Sequence, residues 1–229
     1  MKSPICLISR LITFFSDKKI PNGIKNLYIC GMPGKAAITS KYIIETVAPV
    51  FNRSGYAGTS MSDLTKATGL TKGAIYGNFK NKEHLAIEAF NYNVRKVIWK
   101  LADRMNAVES ASEKFAVMTN FYREYYDYTM AFGGCPILNV GIDSKDSNPE
   151  LYARVVVVLS KLKKNLEQIV VLGIEQGEFK EDLDPVRLGG RMVSMIQGAI
   201  FSSILLKDKN HLLQMMDHFD AMVKDEMMK

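Results

Sequence analysis

Only three of the 229 residues are cysteine: Cys6, Cys30 and Cys135. Their number is odd, their spacing is wide and no CxxC pair occurs, which excludes a disulfide framework and a zinc knuckle. Free thiols in a reducing cytoplasm are the expectation. Histidine is as scarce, and His211 and His218 sit on one helical spacing without a third ligand nearby, so no metal site is expected. The sequence also lacks paired carboxylates at catalytic spacing, a Ser/His/Asp or Cys/His set, and a glycine-rich phosphate loop. No enzyme and no cofactor are therefore expected. The apolar stretch "ICLISRLITFF" is broken by Arg10, is too short to span a bilayer, and precedes no small-x-small cleavage site. The expectation is a cytoplasmic protein without a membrane partner.

Neither sign of charge dominates, with 30 Lys+Arg against 24 Asp+Glu and a net charge of +6. The excess is unevenly placed. Residues 1–35 carry +5, residues 36–90 carry +2 and residues 91–229 carry −1. A small N-terminal part facing an anion and a neutral C-terminal part with another task are implied. Residues 1–35 show no clear period and are expected to be a poorly ordered extension. Met32 is a candidate natural start, which would leave most of the basic excess outside the protein.

From Ala36 onward the apolar residues recur at spacings of three and four, and no β-sheet pattern emerges, so the fold class is all-α. Ser60 with Asp63 forms a capping-box pattern that opens a short helix over 61–68, ending before Gly69. Thr71 caps a second short helix over 72–79, and Asn81 caps a long one reaching about residue 106. Later helices are expected near 110–131, 149–176, 185–207 and 210–228. Pro149 and Pro185 stand where a first-turn proline is harmless, and Gly133-Gly134 and Gly177 mark stops. Pro49 falls inside the first helix, where it removes a hydrogen bond and threatens a kink.

Two short helices joined through Gly69-Leu70-Thr71 have the organisation of a helix-turn-helix. Met61, Leu64, Leu70 and Ile75 are spaced to pack the pair together, and Lys72, Tyr76 and Asn78 are expected to project outward. A cation, a hydroxyl and an amide on one side suit a DNA major groove.

This stretch resembles the TetR/AcrR family of transcriptional regulators. The resemblance is carried by Gly55-Tyr56, Thr59-Ser60, Ala67, Gly69-Leu70-Thr71-Lys72-Gly73, Ile75-Tyr76, Asn78-Phe79, Lys82 and Leu85. It implies that residues 36–82 form a DNA-binding head and residues 83–229 an effector-binding and dimerisation body. It further implies DNA contacts by Thr71, Lys72, Gly73, Tyr76 and Asn78, with Ser60 and Lys82 near phosphate.

The rest of the chain suits both tasks of such a body. Gly190, Ser194, Gly198 and Ser202 recur at four-residue intervals, a ridge of small side chains beside many apolar ones. The helices near 185–207 and 210–228 are the expected homodimer interface. Trp99, Met118, Phe121, Tyr122, Tyr125 and Tyr126 cluster on two successive helices, and aromatics with polar tips suit an apolar ligand. "GCPILNVGIDS" resembles the short-helix region of one TetR subgroup, which implies that Cys135 and Asn139 border the pocket. The function expected is a ligand-responsive repressor released from a palindromic double-stranded DNA operator by a small molecule. The alternative is a helical protein-interaction regulator with no effector.

Overall fold

The computed structural model describes residues 35–229. All but the last residue of the expected 1–35 extension, with Cys6, Cys30 and Met32, lies outside the described residues. Nine α-helices follow in order among the described residues: α1 (Lys35–Ser54), α2 (Met61–Thr68), α3 (Lys72–Tyr76), α4 (Lys82–Asn106), α5 (Ala111–Met130), α6 (Pro136–Ser147), α7 (Pro149–Glu175), α8 (Pro185–Leu206) and α9 (Asn210–Met222). The described residues contain no strand; Phe179 and Met228 form an isolated antiparallel bridge.

Local chemistry sets most of these boundaries. At α2, Ser60 accepts from the Asp63 amide while the Asp63 carboxylate accepts from the Ser60 amide, a completed capping box. Thr71 caps α3, Asn81 caps α4, and Pro149 and Pro185 begin α7 and α8. Gly69 ends α2 at φ 68°, a left-handed turn that glycine adopts without a steric penalty. Helix α1 runs through Pro49, and the carbonyl of the preceding residue, Ala48, accepts a 2.9 Å hydrogen bond from buried Asn93 of α4. "RVVVVLS" is helical inside α7 despite its β-branched content, as the surrounding period required.

Two boundaries differ from the sequence expectation. Helix α3 stops at Tyr76 rather than 79, because a turn at Gly77 leads directly to the Asn81 cap. The last helix is α-helical only to Met222 and widens into a π-turn over Val223–Met227. That turn closes with the Met228 amide on the Val223 carbonyl and delivers Met228 to its bridge with Phe179.

Two apolar clusters organise the molecule. One joins Ile43, Val47 and Phe51 of α1 to Leu64, Ile75, Leu85 and Phe90, and extends to Val140, Leu151 and Val155 at the start of the body. The other fills the body from Met105 and Phe115 to Phe219 and Met227. Phe115 lies between Phe179 and Phe219, with ring centroids 6.0 and 5.7 Å away. Burial of such rings is the main favourable term for a helical body of this size.

Glu178 ties the α7–α8 loop to the start of α5. Its carboxylate accepts from the Ser110 and Ser112 hydroxyls and the Ala111 and Ser112 amides. Partial burial pushes its pKa up, but these donors outweigh burial and leave it lowered. A lowered carboxylate stabilises the fold above its unfolded pKa, near ~4.3, and loses that contribution as pH falls through its folded value. Glu178→Gln is therefore expected to lower the Tm at pH 7 and to flatten its decline below about pH 4.3, measured by thermal melts across pH.

Candidate DNA-binding head and body cavity

The outer face of the head is made by α3 and the turns flanking it. Thr71, Lys72, Gly73, Ala74 and Tyr76 are exposed, and Ile75 is fully buried against α1 and α2. The Lys72 Nζ stands 5.8 Å from the centroid of the Tyr76 ring, so cation and phenol form one patch. Tyr42 of α1 is also exposed and donates to the Thr68 carbonyl at 2.9 Å, which seats it beside the turn. Sequence reasoning did not single out Tyr42, because on α1 it reads as one more member of an apolar period.

The other expected contact residues are engaged within the protein. Asn78 does not project outward: its Oδ1 accepts from Ser40 of α1 at 2.9 Å and its Nδ2 donates to the Ala74 carbonyl at 2.9 Å. The reason is the early end of α3, which turns Asn78 off the outer face. Lys82 donates to the Tyr56 carbonyl at 2.7 Å and stands 4.3 Å over the Tyr56 ring. Desolvation lowers its pKa, with Asp143 and Asp63 opposing. Ser60 is exposed, with its hydroxyl engaged by Asp63.

A polar seam fastens this head to the body. Asn52 of α1, 1% exposed, donates to the carbonyls of Phe132 and Gly134 at 2.8 and 2.9 Å. Asn139 of α6 returns the connection, donating to the carbonyls of Asn52 and Gly133 at 2.9 and 2.7 Å. Asp143, one turn further along α6, accepts from the Tyr56 amide at 2.5 Å and the Ala57 amide at 3.3 Å. Gly55 makes this approach feasible: its φ is +70°, and a Cβ there would stand 2.5 Å from the Asp143 carboxylate.

Directly behind the seam, two cavities adjoin inside the body. One, about 30 Å³, reaches Phe121, Tyr125, Cys135, Pro136 and Ile137; the other, about 60 Å³, reaches Met105, Met118, Asn165 and Ile169. They share Ile98, Leu101, Tyr122, Leu162 and Gln197, so they form one slender slot between α4, α5, α7 and α8. Met118, Phe121, Tyr122, Tyr125 and Cys135 are thus brought together. Trp99, Tyr126 and Asn139 do not line these two cavities. Trp99 is 47% exposed beside Arg95, Tyr126 packs partly buried on the body core, and Asn139 belongs to the seam. Burial pushes the Cys135 thiol up and outweighs the Tyr125 hydroxyl, whose hydrogen bond to the sulfur pulls the other way, so the thiol stays protonated. Gln197 was missed because its neighbours on α8 read as a ridge of small residues beside an apolar core.

An exposed two-helix reader braced on an all-helical body with an internal slot defines a helix-turn-helix transcriptional regulator. Residues 43–89 match the family model "Bacterial regulatory proteins, tetR family", and residues 111–219 match "Tetracyclin repressor-like, C-terminal domain". The chain belongs to the TetR family of ligand-responsive, DNA-binding transcriptional regulators. A TetR-family regulator from Cytophaga hutchinsonii is 36% identical with TM-score 0.78, over 85% of this chain and 97% of that one. Another, from Chloroflexus aurantiacus, is 32% identical with TM-score 0.79, over 85% and 98%. The regulator FadR from Bacillus subtilis, solved in complex with stearoyl-CoA, shares the fold at 24% identity and TM-score 0.65, over 80% and 96%.

Proposed function

We propose that this protein is a homodimeric repressor that leaves a palindromic operator when a small molecule enters the body slot. The observation that carries the reading is the exposed Lys72–Tyr76 patch on a helix whose only buried side chain is Ile75. Thr71, Lys72, Gly73 and Tyr76 would meet DNA, with Ser60 at the edge of the contact. Asn78 and Lys82 would act mainly by holding α3 and the α1–α2 turn in place, given their protein partners. Such a regulator works in the cytoplasm, where operator DNA lies.

The dimer reading rests on α8. Gly198 faces open space, Phe201 and Leu205 on the turns after it are exposed by 44 and 65%, and Val186 at the start of the same helix is exposed by 57%. Apolar surface of that extent beside a smooth ridge suits close packing against a second copy, with α9 alongside. By length and composition Pro185–Leu206 is also apolar enough to cross a bilayer, although it carries buried and exposed faces and contacts α7 and α9. Gly198→Arg places a charged side chain on the ridge without touching the protomer core. It is expected to yield a folded monomer by light scattering and circular dichroism, with operator binding lost; a persistent dimer would move the interface elsewhere.

Slot and head are joined by adjacent residues, which gives the effector a route to the reader. Cys135, Pro136 and Ile137 line the slot, while Gly134 and Asn139 on either side hold Asn52 of α1. A ligand that displaces the first three favours a different setting of α1, and release follows from its preference for that state. That FadR holds stearoyl-CoA in the same fold supports a small-molecule site in such bodies. The test is to select genomic fragments with the full chain and repeat the selection with candidate ligands. Recovery of one palindromic class, lost on adding ligand, is expected; unselective recovery would defeat the reading.

A further inference from the structure

The chemistry of the slot says what enters it. Among the described residues, no Lys, Arg, Asp, Glu or His lines either cavity. An ion moved there would lose its hydration with no counter-ion to replace it. Carboxylate, phosphate and ammonium headgroups are therefore disfavoured inside.

Two wall amides, Asn165 of α7 and Gln197 of α8, break the apolar pattern, and of the two only Gln197 holds a buried atom without a partner. Gln197 lies where the two cavities meet, its Oε1 is buried, and that oxygen has no hydrogen-bond partner. Its neighbours on the same helix turns are Val193, Ile196 and Ile200, and an aliphatic side chain would fill the position without an unsatisfied acceptor. An orphaned buried acceptor is costly, and a ligand that donates there returns that cost. The wall hydroxyls of Tyr122 and Tyr125 stay neutral, because burial pushes both pKa values up, and that of Tyr125 is already spent on the Cys135 sulfur.

Resting on the reading of the slot as the effector site, we propose that the effector is an uncharged, slender, largely apolar molecule whose hydroxyl donates to Gln197. Volume and layout set the slenderness: two small cavities lie in line along α4, from Val94 to Met105. The cavities are about 30 and 60 Å³, whereas each water-sized centre needs ~10–15 Å³, so an unbranched chain enters with small shifts of Met105 and Met118 and a fused ring system does not.

Four probes of similar length test this on the full chain by calorimetry: 1-octanol, heptyl methyl ether, octanoate and octyltrimethylammonium. 1-Octanol is expected to bind, the ether to bind about tenfold more weakly for lack of a donor, and both ions at least about a hundredfold more weakly. Gln197→Met is expected to reduce 1-octanol to the ether's affinity and to leave the ether unchanged. Equal binding of alcohol and ether overturns the role of Gln197 in the wild-type protein alone, whether or not the variant folds. Tighter binding of either ion overturns the ligand class while leaving the slot as the effector site. If none of the four binds to protein that still retards operator DNA, the effector-site reading itself falls.

Discussion

Replacing both Lys72 and Tyr76 by alanine is expected to weaken binding to the operator by about a hundredfold or more, with the fold and dimer intact. Each lost base or phosphate contact costs about 1–3 kcal/mol, and two together remove most discrimination against non-specific DNA. Neither side chain belongs to the core: Tyr76 is 38% exposed, Lys72 is exposed, and Ile75 between them anchors α3. The single variants separate two kinds of contact. Loss of Lys72 on phosphate would lower the salt dependence by about one unit and affect all sequences alike. Loss of Tyr76 at a base edge would relax preference at one operator position. Retardation at several salt concentrations measures both, with gel filtration as the control. If the double variant held the operator as tightly as wild type, α3 would not be the reader.

The largest expected effect on the fold comes from Asn52→Asp. The change keeps shape and volume but converts a donor into an acceptor facing the carbonyl oxygens of Phe132 and Gly134 at 2.8 and 2.9 Å. At 1% exposure, water cannot relieve the repulsion. An uncompensated buried carboxylate of this kind costs about 3–5 kcal/mol, a large fraction of a domain's stability. The sign with pH is fixed by the same contact. The carbonyls favour the protonated acid, so the introduced group has a raised pKa, and the deficit is expected to shrink as pH falls through it. Chemical denaturation of wild type and variant at pH 5 and pH 8 measures this. Asn52→Ala should cost less, since it leaves unpaired carbonyls but adds no charge. An equal deficit at both pH values would show that the seam opens and admits water.

Chain order explains what was legible beforehand. The caps at Ser60, Thr71 and Asn81, the left-handed Gly69 and the prolines opening α7 and α8 are local signals. They act over three or four residues, so a linear reading finds them. The end of α3 was misplaced by three residues because two helix-compatible residues, Asn78 and Phe79, follow Gly77, and only the contact of Asn78 with Ser40, 38 positions earlier, fixes where it points. Seam partners are farther apart still. Asn52 meets Gly134 across 82 positions and Asp143 meets Tyr56 across 87, and no periodicity links such pairs. The slot was half legible: aromatic clustering on α5 led to Met118, Phe121, Tyr122 and Tyr125. The same criterion drew in Trp99, because composition does not say which side of α4 faces inward.

The brevity of α3 bears on how such a protein acquires new targets. Four of its five residues touch no core, and their substitution leaves the buried Ile75 and the brace at Asn78 in place. Outer surface and folding anchor are thereby assigned to different side chains within one helical turn and a half. If α3 is the reader and the slot the effector site, as proposed, drift at positions 72, 73, 74 and 76 would readdress the protein to another promoter while the slot behind Asn52 is inherited unchanged. A duplicated copy could acquire a second regulon before it lost its first inducer.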